Sequence, residues 1–211
     1  MGEAKRKREQ AKQLEARKEA LTAAAASVSH AIRRLAEAAS AHIGSDCYLH
    51  AGLGRVLLAD LGFEFQIRVG FAAWRLGPGD GDVISHTPHT QGYLPAGALG
   101  FAYHAWLTAG DWLLDFTTYQ LARKAQALDA ADGGHTTVEW CPDYLLTSTH
   151  SIRNYRQVAQ ASKSGVFYYE ASAALAQRMA ETSTLDADDI ETARVIMRNP
   201  EMRVMGPNSG V

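Results

Sequence analysis

Phe63, Phe65, Ile67, Val69 and Phe71 alternate with Glu64, Gln66, Arg68 and Gly70. A period of two predicts a strand over 63–71 with one face in a core. Upstream the period changes. Leu14, Leu21, Val28 and Leu35 recur every seven residues, with Ile32 beside the last two. This predicts one long helix over residues 1–40 with a narrow apolar seam. The seam can dimerise or pack on the body, and packing is the commoner fate of such a helix. Gly44-Ser45-Asp46 then stops that helix and starts another, with Ser45 as the cap and Asp46 favouring the positive helix end. Leu49, Leu53, Val56, Leu57 and Leu61 follow at helical spacing, and Gly62 is a good stop. Cys47 therefore falls in the first turn of a helix with a buried face.

Downstream, Gly77-Pro78-Gly79-Asp80-Gly81-Asp82 predicts a loop, Val83-Ile84 a short strand, and residues 86–97 a surface loop. Leu99 to Leu107 and Trp112 to Phe116 are apolar and aromatic. They predict a tight hairpin with Ala109-Gly110 as its two-residue turn. A helix is expected over Tyr119 to Ala131, ending at Gly133-Gly134, and a strand over Thr136 to Trp140. Helices then follow over Ile152 to Ala161, Val166 to Glu181 and Ala187 to Arg198. Asp186 caps the last of these and Pro200 stops it; residues 206–211 should be loose.

Composition narrows the class. The chain has 211 residues, 46% hydrophobic and 21% charged, with net charge −2. These values fit a folded domain with helical appendages and exclude a disordered chain or a generally basic nucleic-acid binder. The charge is uneven: +3 over residues 1–19 and −5 over the rest. Lys5-Arg6-Lys7-Arg8 reads as a solvated helix end, or as an anion-binding or localisation patch. No apolar run reaches the length of a membrane span, and no signal peptide is recognisable. The two cysteines, Cys47 and Cys141, make no disulfide framework, which suits a reducing cytoplasm.

Candidate chemistry follows from the hairpin. With Ala109-Gly110 as the turn, paired residue numbers sum to 219 and His104 sits directly opposite Asp115. Such a pair shares a face, so a hydrogen bond can orient the imidazole and stabilise its cation. A slip of one residue would destroy the pairing. Cys47, at a helix N-terminus and near an imidazolium, is placed to favour the thiolate, and the amides there can donate to an oxyanion. Cys47, His104 and Asp115 then form a nucleophile, an acid/base and an orienter. The bland alternative is a buried thiol, a core histidine and a strand-end carboxylate.

Other residues compete. His86-x-x-His89 could join His104 as zinc ligands, but no third ligand has recognisable spacing and no His-Glu-x-x-His helix exists. His50 lies one turn after Cys47. Cys141, before Pro142, reads as structural. Trp74, Trp106, Trp112 and Trp140 read as core or cleft wall. Gly77, Gly79 and Gly81 lack the Lys-Ser/Thr of a phosphate loop. No cofactor and no metal is expected.

The runs Cys47-Tyr48-Leu49-His50-Ala51, Leu57 to Gly62 and Ile67-Arg68-Val69-Gly70 resemble the core of transglutaminase-like proteins, which share the papain-like cysteine-hydrolase fold. His104-Ala105-Trp106-Leu107 and Trp112 to Thr117 extend the resemblance, which covers about Gly44 to Thr118. The ends of the chain, outside that stretch, look specific to a small bacterial subfamily. The resemblance implies an α+β papain-like core over about residues 41–165, with a Cys-bearing helix on an antiparallel sheet. Residues 1–40 and 166–205 are then helical additions, and 206–211 a tail. It implies Cys47 as nucleophile, His104 as acid/base and Asp115 as orienter. Leu107-Thr108 and Phe116 depart from the residues often found at those places. The implied activity is acyl transfer on a peptide, protein or other acyl donor, by hydrolysis, deamidation or transfer to an amine. A catalytically silent adaptor on the same fold, with the basic helix as its contact, is the alternative.

Overall fold

The computed structural model describes residues 2–39, 46–87 and 102–208. Two long helices come first, α1 (Gly2–Ala39) and α2 (Cys47–Asp60). Strands β1 (Gln66–Arg75), β2 (Val83–His86), β3 (His104–Ala109) and β4 (Trp112–Asp115) follow. Then come α3 (Leu121–Asp132), β5 (Leu145–Ser148), α4 (Tyr155–Ala159), β6 (Phe167–Ala171), α5 (Ala173–Thr182) and α6 (Ala187–Arg198). The architecture is mixed α+β, built on one six-stranded sheet whose pairings are all antiparallel.

β1 organises the sheet. Gly70 pairs with both His104 and Ala171, so β3 and β6 lie on opposite edges of β1. β2 pairs with residues 72–75, which β6 also flanks, so β2 continues the β3 edge. Ala72 faces His86 and Gly70 faces His104, two residues apart on one strand. Both histidines therefore project to the same face. Gly70 is required by a close approach: a Cβ there would lie 1.9 Å from the Glu170 carbonyl oxygen.

Two cores flank the sheet. Val69, Ala105, Leu107 and Leu114 pack with the apolar faces of α1, α2 and α6. Ala72, Trp74, Trp106, Leu113 and Tyr169 face the other way, toward Leu121 and Ala125 of α3. In α1, Leu21, Val28, Ile32 and Leu35 are buried, whereas Leu14 is 64% exposed and Lys5 to Glu9 stand in solvent. The apolar half of the seam packs on α6 and α2.

Several expectations need correction. The helix start belongs to Asp46, not Ser45; Asp46 occupies the cap position without a side-chain cap bond, and Ser45 lies outside the described residues. The expected strand at 63–71 is shifted: β1 starts at Gln66 and runs on to Arg75, because β2 and β6 provide partners for its second half. Gly62 does end α2, with φ 83° and the Phe63 and Gly62 amides donating to the Leu58 and Ala59 carbonyls, as in a Schellman cap.

Residues 136–140 form no strand. They are held by bonds to a distant stretch of chain, with the Glu139 and Trp140 amides donating to the Leu76 carbonyl and the Thr137 amide to Asp82. The expected helix over 166–181 is half strand: β6 pairs with β1 before α5 begins at Ala173. The helix over 152–161 shrinks to α4, set by the Asn154–Gln157 capping box. In the loop expected over 86–97, His86 instead closes β2; residues 88–101 are not described, so neither His89 nor the expected start of a strand at Leu99 can be placed.

The hairpin turn is Gly110-Asp111, with register Leu107↔Leu114, Thr108↔Leu113 and Ala109↔Trp112. Gly110 has φ 54° and no described non-glycine residue has positive φ, the sign pattern of a type II′ turn. Continuing this register places Asp115 across from Trp106, so Asp115 is diagonal to His104 rather than directly opposite. The change is an even number of residues, so both side chains keep a common face.

A chain beginning at Ala20 is expected to unfold within about 1 kcal/mol of the full chain, because residues 5–9 and 11–19 are exposed. Val28→Asp, which puts a charge into a site with no exposure, is expected to cost about 3 kcal/mol or more. Gly70→Val should be similarly disruptive, since backbone rather than a flexible side chain blocks it. Denaturant titration of the variants checks these outcomes.

Candidate active site

Asp115 closes β4 with no solvent exposure. Its Oδ1 accepts hydrogen bonds from the Thr117 amide at 2.8 Å and the Thr117 hydroxyl at 2.7 Å. Its Oδ2 accepts from His104 Nε2 at 2.8 Å and from the Tyr169 hydroxyl at 2.7 Å. Tyr169 in turn accepts from Trp74 Nε1 at 2.7 Å. Burial raises the Asp115 pKa, but the adjacent His104 charge and these donors outweigh it, leaving the carboxyl at about 2. Burial lowers that of His104, but the Asp115 charge and hydrogen bond, with a smaller contribution from Cys47, lift the imidazole to about 9.

His104 opens β3 and Cys47 opens α2, which packs on β3. The two ends meet. Asp115 holds Nε2 of His104, which leaves Nδ1 for another partner, and the Cys47 thiol lies near enough to the ring to raise its pKa. The ring also packs edge-on against Trp74, with centroids 4.8 Å apart. All three expected residues, Cys47, His104 and Asp115, therefore come together. Among the described residues Asp115 hydrogen-bonds with His104, Thr117 and Tyr169, while Cys47 and His104 line a cavity of about 620 Å³.

Two other residues of that cavity, Tyr103 and Lys124, were not singled out by the sequence. Tyr103 lines the cavity near Cys47. Burial and the nearby Cys47 and Asp46 push the phenol well above its usual range, so it stays a donor. His86, from the end of β2, stands with its ring centroid 5.6 Å from that of His104. Lys124 of α3 donates to His86 Nε2. That ammonium occupies one of the two ring nitrogens through which His86 could bind a metal. Among the described residues no group of three His, Cys, Asp or Glu side chains is placed to hold a metal.

His50 faces away from the chemistry. Its Nδ1 meets the Asp46 carbonyl and its Nε2 the Tyr119 hydroxyl, both at 3.0 Å, and Gln120 Nε2 donates to the same hydroxyl. This chain of bonds ties the first turn of α2 to the segment after β4. Cys141 donates weakly to the Thr118 and Tyr119 carbonyls at 3.4 and 3.5 Å, which suits a structural thiol. Trp74 and Trp106 are buried, and Trp112 and Trp140 are half-buried. The Gly77–Gly81 loop packs around the Asp82 carboxylate, which accepts from the Gly79 amide at 2.7 Å.

Tyr169 and Thr117 are the supports that sequence reasoning missed. Phe167-Tyr168-Tyr169 after Gly165 is an aromatic run of strand character, the one signal that could have revealed Tyr169. Thr117, two residues after Asp115, fits the Asx-turn pattern in which a carboxylate accepts from its own backbone.

The chain shares its fold with the crystal structure of genomics APC5867, at TM-score 0.57 and 20% sequence identity, over 83% of this chain and 78% of that one. No family model and no curated protein matches the sequence.

The His104–Asp115 pair predicts a pH signature. An imidazole raised from 6.5 to about 9 in the folded state contributes stability that is complete below pH 6.5 and lost as pH rises through 9. The depressed carboxyl contributes above pH 3.8 and loses its contribution as pH falls toward 2. The unfolding free energy of the wild type minus that of His104→Gln should therefore be larger at pH 6 than at pH 10. Denaturant titrations at the two pH values check this, and a difference independent of pH would contradict a charged pair.

Proposed function

We propose that the chain is a cysteine-dependent acyl-transfer enzyme with Cys47 as nucleophile, His104 as acid/base and Asp115 as the residue that orients the imidazole. One observation carries this reading: a His104 ring held at Nε2 by a buried carboxylate meets a first-turn cysteine at the wall of a cavity. A Cys-bearing helix packed on an antiparallel sheet, with His and Asp on adjacent strands, also supports the transglutaminase-like, papain-like resemblance.

In this reading Nδ1 of His104 takes the Cys47 proton, and the thiolate sulfur attacks an amide or ester carbonyl carbon. The carbonyl oxygen gains the negative charge. Amides of the first turn of α2 point to that region, and the cap residue Asp46 makes no side-chain bond to them. The Tyr103 hydroxyl, on the same cavity wall as Cys47, is the second donor. His104 then protonates the leaving group as the C–N or C–O bond breaks, giving a thioester. Water, deprotonated by His104, attacks the thioester and releases the acid and the free thiol. Transfer to an amine follows the same steps with the amine in place of water. Asp115 stays ionised throughout and holds the imidazolium form.

Site-resolved labelling with iodoacetamide tests the nucleophile. Cys47 should react faster than Cys141, and His104→Ala should remove the difference. Against a panel of p-nitrophenyl esters and peptide amides, Cys47→Ala should abolish turnover and leave the fold intact. Asp115→Asn should lower kcat by up to about 10⁴, and Cys141→Ser should leave it unchanged. Equal labelling of the two cysteines would instead favour a binding role for the same cavity.

A further inference from the structure

Lys124 is a titratable group in the cavity that the proposed chemistry does not use. It projects from α3 on the same face as Leu121 and Leu128 and lines the cavity with Cys47, His86 and His104. Its ammonium donates to a ring nitrogen of His86. An ammonium can bond at that nitrogen only while the ring is neutral. Burial, with Lys124 and His104 nearby, holds His86 well below its usual range, so it remains neutral. Among the described residues no carboxylate forms an ion pair with Lys124. The carboxylate of the triad, Asp115, is already saturated by four donors. Burial lowers Lys124 to about 8 and the Cys47 charge partly opposes this, so the side chain is mainly a cation at neutral pH.

A cation kept out of bulk water without a carboxylate ion pair is costly unless a ligand supplies the charge. The other end of the cavity has the opposite sign: Asp129 and Asp132 line it, with Asp129 accepting from Thr136. An anion is therefore favoured near the nucleophile and disfavoured toward Asp129 and Asp132. We propose that Lys124, oriented by His86, is the specificity residue of this site, receiving a carboxylate that lies within a few atoms of the substrate's reacting carbon. The substrate class is then a short dicarboxylic acyl donor, a half-amide or half-ester. This rests on Cys47 being the nucleophile.

Iodoacetate and iodoacetamide test this directly, because they differ only in a carboxylate next to the carbon that Cys47 attacks. The rate ratio of iodoacetate to iodoacetamide at Cys47 is measured at pH 7, with Cys141 in the same sample as reference. The Cys47 ratio should exceed the Cys141 ratio in the wild type, fall about tenfold in Lys124→Met and recover in Lys124→Arg. If Lys124 merely stabilised the thiolate, both reagents would slow together and the ratio would stay constant, which overturns the proposal. A second measurement needs no variant. Succinate should protect wild-type Cys47 from iodoacetamide in a saturable way, and succinamide should not; equal protection, or none, overturns it. Cys47 reacting no faster than Cys141 with either reagent overturns the nucleophile assignment itself, and this inference with it.

Discussion

The carboxylate of Asp115 is a charge with no access to solvent, and it persists only because four hydrogen bonds converge on it. The donors come from separate places in the chain. Thr117 is local, His104 comes from the neighbouring strand, and Tyr169 comes from the far edge of β1. Tyr169 is itself aligned by Trp74, in the strand between. Satisfying one carboxylate therefore fixes three strands against one another and sets the orientation of the His104 ring.

β1 makes this convergence possible. Its length lets β3 and then β2 share one edge, while β6 occupies the other. The ends of β3 and β2 then bring His104 and His86 side by side, and α3 closes the space in front of them with Lys124. The first turn of α2 reaches the same point from the other core. A helix terminus, two strand ends and a helix flank form the cavity, so its residues come from four distant stretches of sequence. Gly70, where β1 pairs with both β3 and β6 and a Cβ would meet the β6 backbone, is the backbone requirement behind the arrangement.

Local patterns carried much of this organisation. The seven-residue seam of α1 identified its buried half, and Asp186 does cap α6. Gly62 and Gly133 end their helices in left-handed conformations, as their positions after apolar stretches suggest. Cys47 falls in the first turn of α2, and His104 and Asp115 share a sheet face. The hairpin register was less legible. Ala109-Gly110 and Gly110-Asp111 both put a glycine in a two-residue turn, and only the positive φ at the first turn position distinguishes them. The two registers have the same parity, so the error did not separate the histidine from its carboxylate.

By itself, then, the sequence determined which residues could begin helices, alternate across a sheet and carry nucleophilic chemistry, because these depend on neighbours within one or two turns. Tertiary structure decided the rest. Residues 167–171 become a strand because β1 offers a free edge, and residues 136–140 do not because their amides are taken by Leu76 and Asp82. Tyr169, His86 and Lys124 gain their places around His104 through strand pairing and helix packing over long chain separations. No local spacing encodes these contacts, because their partners are set by which edges and faces remain free once the sheet has formed.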